Sequence, residues 1–113
     1  MTKVKFRGKE YSYRVDFYAI KEYQAETGKS FEDTIQAGLL SKDGLEALEL
    51  IYYYAIKGQC IFEGVDFDLK KEDMVFLLNT IGTAKAIEDV LVFYHGIGQA
   101  IVQAKPKEDK AAG

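Results

Sequence analysis

His95 is the chain's only histidine, and with Cys60, the only cysteine, it is where acid–base or nucleophilic chemistry would first be sought. A general base needs a nucleophile or an orienting group within hydrogen-bond reach, and "FYHGIGQA" assigns none. His95 therefore reads as a helix-surface or packing residue. The "GIG" beside it lacks the third glycine and the lysine of a phosphate loop and follows a helical pattern rather than a strand. Cys60 stands between Gln59 and Ile61 without a neighbouring cation, the setting of a buried, inert thiol. One cysteine and one histidine are too few for a structural zinc site. The pairs Glu32-Asp33, Glu72-Asp73 and Glu88-Asp89 each fall near the start of an expected helix, where negative charge complements the helix dipole. "DFDLKKED" lacks the glycine and terminal glutamate of a calcium loop. The residues thus point to no catalytic site, no metal and no cofactor, and the chain is expected to be non-enzymatic.

Charge is the more informative feature. Lys3, Lys5, Arg7, Lys9 and Arg14 against Glu10 leave +4 on residues 1–15, while the whole chain carries −3, so the other 98 residues carry −7. Opposed poles can steer a partner, or a second copy of the chain, into contact. Phe6, Tyr11 and Tyr13 among the basic residues raise nucleic-acid binding as an alternative. Their alternation argues against it: the aromatics share the face that must meet the helices, and the remaining acidic chain would repel phosphates. Lys5, Arg7 and Lys9 are accordingly candidates for protein contact.

Three adjacent tyrosines, Tyr52, Tyr53 and Tyr54, lie in "LIYYYAIKG". At about 100° per helical residue they cannot all face one core. Leu45, Leu48, Tyr52 and Ala55 make one stripe, which Ile51 and Tyr54 widen, and Tyr53 falls with Glu46 and Glu49 on the polar flank. Tyr52 is expected in the core and Tyr54 at its border. Tyr53 needs another cover, either a partner or the N-terminal hairpin of the same chain. All three join the candidate protein-binding residues.

The elements that position these residues follow from local pattern. "VKFRGKEYSYRV" alternates apolar and polar residues around Gly8, which predicts a hairpin over residues 3–15 with a Gly8-Lys9 type II′ turn. That register sets Arg7 opposite Glu10, Phe6 opposite Tyr11 and Val4 opposite Tyr13. Asp16 predicts the cap of a helix through Thr27, with Phe17, Ile20 and Tyr23 inward and Gly28 as its stop. Ser30 caps a second helix with Phe31, Ile35 and Leu39 buried; Ser41 or Asp43 caps a third, ended by Gly58. "GQCIFEGVDFD" reads as a connector pinned by Ile61, Phe62, Val65 and Phe67. Asp68 then caps a central helix buried through Leu69, Val75, Phe76, Leu78 or Leu77, and Ile81. Thr83 caps a last helix with Ile87, Val90, Leu91, Tyr94, Ile97 and Ile101 as its stripe.

With 113 residues, 48% hydrophobic and 29% charged, the chain matches one ordered domain. The expected fold is α+β, mainly α: an N-terminal two-stranded β-hairpin packed on about five helices. The domain is expected over residues 1–104, with helices over 17–104 and a flexible tail over 105–113, "KPKEDKAAG". The apolar runs fall short of the roughly 20 residues that cross a bilayer, and the charged N-terminus is unlike a signal peptide. The lone cysteine suits a reducing, intracellular compartment.

The pattern of "FRGKEYSYRVDFYAIKEYQAETGKSFEDTI", "LEALELIYYYAIKG" and "FDLKKEDMVFLL" resembles the tail assembly chaperones of long-tailed bacteriophages, from residue 4 to residue 81. The resemblance implies a small, mostly helical, non-enzymatic protein that binds the phage tape measure protein and helps recruit tail tube subunits. Such a protein acts in the host cytoplasm and is absent from the mature virion. Proteins of that family often have a second, longer product made by ribosomal frameshifting, and the charged C-terminal end would suit a linker to such an extension. Another small phage or prophage protein, such as a head–tail joining component, is the alternative.

Overall fold

The computed structural model describes residues 2–96. Ile97, Ile101 and the expected tail over 105–113 lie outside the described residues. Two strands, β1 (Thr2–Phe6) and β2 (Lys9–Tyr13), form an antiparallel hairpin, and α1 (Phe17–Thr27), α2 (Phe31–Ala37), α3 (Lys42–Glu63), α4 (Met74–Ile81) and α5 (83–96) follow. The α+β, mainly α expectation holds, with a hairpin at the N-terminus and five helices.

The hairpin keeps its predicted face but not its predicted register. Thr2 pairs with Tyr13, Val4 with Tyr11, Lys5 with Glu10 and Phe6 with Lys9. The two-residue turn is Arg7-Gly8, both at positive φ (52° and 76°), the type I′ pattern whose twist suits a hairpin. An arginine in that region is strained, which is why sequence alone favours Gly8-Lys9. The pairing differs by two residues, so side-chain parity survives, and Val4, Phe6, Tyr11 and Tyr13 all turn inward.

Caps set the helix starts as expected at three places. Asp16, Ser30 and Ser41 accept the amide N–H of Ala19, Asp33 and Gly44 at 3.1, 3.0 and 3.0 Å. Each such cap is worth about 1 kcal/mol. The predicted stop at Gly58 is overturned: α3 runs through it to Glu63 and closes at Gly64, φ 71°. Gly58 is there for space, since a Cβ would sit 2.5 Å from Cδ1 of Tyr18 on α1. Gln59 and Cys60, expected in a connector, are thereby buried on α3 one turn beyond Ala55 and Ile56. The α4 start is corrected too: Lys71–Asp73 form a 3-10 turn after extended residues, and Asp68 caps nothing.

At 22 residues α3 is the axis of the core, with Leu48, Ile51, Tyr52, Ala55 and Ile56 all but inaccessible. Against it pack α1 through Ala19, Ile20 and Tyr23, the inner hairpin face, α4 through Met74 and Leu77, and α5 through Ala86 and Val90. Several residues expected in the core, or expected to pin the connector, lie outside it. Phe17 is 76% exposed, and Leu45, Ile61, Phe62, Val65, Val75 and Phe76 are exposed as well. Helix α4 is therefore peripheral rather than central.

Candidate protein-docking surfaces

The tyrosine triplet divides into three structural roles. Tyr52 is fully buried, edge-on to Tyr13 with ring centroids 5.5 Å apart, and its hydroxyl donates to Ala86 O on α5 at 2.8 Å. Burial and the nearby Asp89 push its pKa far above the ordinary tyrosine value. Tyr54 is buried on the α1 side and donates its hydroxyl to Glu26 Oε1. That hydrogen bond, with desolvation, raises the Tyr54 pKa. Tyr53 is half-buried, its ring edge-on to Phe67 at 5.0 Å and to Tyr54 at 5.1 Å, with Lys71 Nζ 5.7 Å from its centroid. Its cover is the segment between α3 and α4, a source weighed neither as partner nor as hairpin in the sequence.

The basic hairpin residues meet the same segment. Arg7 lies over the Phe6 ring and pairs with Asp73 at 2.9 Å; Asp73 also accepts the Lys70 amide. Lys9 Nζ reaches Asp68 Oδ2 at 3.0 Å while the Tyr11 hydroxyl donates to Oδ1 of the same carboxylate at 2.8 Å. Lys71 donates to Glu26 at 2.7 Å. The hydrogen bonds of Lys9 and Tyr11 hold Asp68 below the usual carboxylate range, those of Lys71 and Tyr54 do the same for Glu26, and the Lys70 amide, then Arg7, does so for Asp73. Burial, then the Asp68 bond, lifts Tyr11 to about 12. Part of the predicted charge complementarity is therefore satisfied within one chain: Arg7 and Lys9 meet Asp73 and Asp68, while Lys5 stays exposed across from Glu10.

The open surfaces lie elsewhere, in two apolar regions: one was expected as a pinned connector, and the other contains Ile87 and Leu91 of the expected α5 stripe beside Leu40 and Val92, which had no expected role. One is the end of α3 and the residue after its Gly64 stop, where Ile61, Val65 and the 86%-exposed Phe62 protrude. The other is a groove of about 640 Å³ along α5, lined by Thr83, Ala84, Ile87, Glu88, Leu91, Val92 and His95, with Leu40 of the α2–α3 turn facing them. A second groove of about 270 Å³, with Thr83 in its lining as well, runs between Leu45, Leu48 and Glu49 of α3 and Val75, Leu78 and Asn79 of α4. Leu40 and Val92 are 71% and 63% exposed. The signal was present in the α5 spacing, where apolar residues cover more than the single stripe a buried face needs.

His95 is exposed on α5, with the Tyr94 ring 5.8 Å away. Glu88-Asp89 sits in the second turn of α5 rather than at its start: Glu88 lines the groove and Asp89 pairs with Lys85 at 2.8 Å. Cys60 is buried, and burial raises its thiol pKa. Among the described residues no three His, Cys, Asp or Glu side chains group as metal ligands, and no helix is long and apolar enough to cross a membrane.

Known protein families, curated proteins and solved structures include no match to this chain.

Proposed function

We propose that this chain is a tail assembly chaperone of a long-tailed bacteriophage or prophage, which holds the tape measure protein and helps recruit tail tube subunits through apolar surface. The observation that supports this reading most is the pair of neighbouring grooves that share Thr83, one along α5 and one between α3 and α4, mostly apolar in lining and uncovered among the described residues. A binding protein for long helical chains needs open apolar area, and patches of this kind mark interaction sites in soluble domains. The resemblance over residues 4–81 supplies the pathway, and the surface supplies the means.

The test is expression with native downstream DNA under an N-terminal tag, followed by affinity capture and mass spectrometry. Recovery of a long helical tail protein, or of a longer tagged product, is the expected result. Capture of portal or connector proteins instead would favour the head–tail joining alternative. Capture of the 113-residue chain alone would overturn the tail-assembly reading.

A further inference from the structure

The α5 groove has a shape that selects its occupant. Thr83, Ile87, Leu91 and His95 form one row at i, i+4 spacing, and Ala84, Glu88 and Val92 form the adjacent row. Two such rows leave a furrow between them, and a furrow between i±4 rows is what receives the corresponding ridge of a second helix. From Thr83 to His95 the rows span about 18 Å, or slightly more than three turns. Ala84, with one carbon in its side chain, leaves room for a close backbone approach at one end. Leu40 stands at the facing edge and limits the width. The other side of α5 is already engaged, since Ala86 and Val90 face the core and Lys85 is paired with Asp89.

The groove also has a sign. The charged side chains lining the two neighbouring grooves are Glu88 in the first and Glu49 in the second, both carboxylates, within a body that carries −7 outside residues 1–15. A helix that filled the furrow and continued past Thr83 into the second groove with an acidic flank would meet both. A helix with lysine or arginine beside the stripe would form two cross-interface pairs instead.

We infer that this groove is the docking site for an amphipathic partner helix with apolar anchors at i, i+3 or i+4, and i+7, and a basic flank that faces Glu88 and Glu49. This rests on the protein-docking reading above and adds the chemistry of the partner segment and the face that binds it.

The probes are two synthetic helical peptides of about four turns, identical in their leucine stripe, one flanked by lysine and the other by glutamate. Each is titrated into the whole 113-residue chain by fluorescence anisotropy at low salt. The lysine-flanked peptide is expected to bind at least about tenfold more tightly, a difference of about 1.4 kcal/mol. Val92→Asp should weaken it at least tenfold, Phe62→Ser on the other apolar surface should leave it unchanged, and Glu49→Lys with Glu88→Lys should reverse the preference. Near-ultraviolet circular dichroism that matches the parent confirms that each variant is folded.

Binding of neither peptide, equal binding of both, or loss through Phe62→Ser rather than Val92→Asp would overturn the inference. So would sedimentation that shows the unliganded chain as a dimer which Val92→Asp dissociates, because a second copy would then be the occupant. Peptide binding without any captured tail protein would sink the tail-assembly reading alone. A captured tail protein that Val92→Asp does not release would sink the inference alone.

Discussion

The hairpin side and the α5 side of this molecule handle their exposed chemistry in opposite ways. On the hairpin side, Asp68, Asp73 and Lys71 of one short segment reach Lys9, Tyr11, Arg7 and Glu26, and Phe67 closes over Tyr53. On the α5 side, Leu40, Val92 and the flanking groove residues have no described residue over them. Part of the charge that looked available from sequence, at Arg7 and Lys9, is engaged inside the chain, and apolar residues such as Val75 and Phe76 that looked internal are outside. A region can thus be rich in recognition-type residues and already be occupied by its own fold. Among the described residues every buried side-chain nitrogen or oxygen has a hydrogen-bond partner, so neither side carries an unmet buried polar group and the contrast lies in the exposed apolar area.

The largest expected effect breaks the closed side at its centre. Tyr52 joins α3 to β2 through Tyr13 and to α5 through Ala86. Tyr52→Ala should destabilise the fold by about 3–5 kcal/mol, as other buried aromatic truncations do. Tyr52→Phe, which keeps the ring and leaves Ala86 O without that donor, should cost about 1–3 kcal/mol. Urea denaturation measures both. A loss below about 1 kcal/mol for Tyr52→Ala would mean that the hairpin and α5 are not held through this ring.

A second substitution tests how the open side is shaped. A Cβ on Gly44 would lie 2.2 Å from Gly38 O and 2.6 Å from the Cα of Leu39, both backbone atoms with no rotamer to relieve the clash. Gly44→Ala should therefore cost about 1–3 kcal/mol despite the better helix propensity of alanine. It should also displace the turn that carries Leu40, and weaken peptide binding in the α5 groove. Unchanged stability and unchanged binding would separate that turn from the groove.

How much of this contrast was legible follows from which physical terms act locally. Caps are local, so Asp16 and Ser30 could be read directly and the third cap narrowed to Ser41 or Asp43, of which the structure uses Ser41. Hairpin parity was also readable, because alternation fixes the inward face even where the register is two residues off. The Arg7-Gly8 turn was not, since its strained arginine is held by Asp73, which lies 66 positions away. Gly58 shows the same limit from the other side. A glycine after a helical run usually stops it, but here Tyr18 requires the missing side chain, and Gln59 and Cys60 continue the buried pattern. The binding candidates were chosen by residue type, whereas the open groove depends on which apolar positions the tertiary packing leaves over.

The pH dependence sharpens the comparison because titratable contacts concentrate on the closed side. Glu26, Asp68 and Asp73 have folded pKa values lowered by their donors. Their contribution is therefore full above the unfolded value of about 4 and is lost as pH falls through the folded values. Tyr11 behaves in the opposite sense: raised to about 12, it contributes fully below its ordinary value of 10.0 and loses that contribution as pH rises toward 12. Urea midpoints should be nearly flat between about pH 5 and 9 and fall on both sides. Asp68→Asn should reduce both arms, by less than about 1 kcal/mol because this carboxylate is half exposed and screened. Identical profiles for the parent and Asp68→Asn would remove the Lys9–Asp68–Tyr11 contact from the account.

The smallest effect on stability is expected where the proposed effect on binding is greatest. Val92 is 63% exposed at the groove edge, and on its other side it borders a cavity shared with Tyr13 and Val15 of the hairpin side. Val92→Asp should shift the unfolding free energy by no more than about 0.5 kcal/mol, the usual range for surface positions. A fold that tolerates aspartate there gains nothing in its own stability from an apolar residue at that position. The valine then has its use in contact with something outside the described chain. A loss of more than about 2 kcal/mol would reverse the contrast, because Val92 would then belong to the packing of the domain and the groove would be a part of its core left incompletely covered.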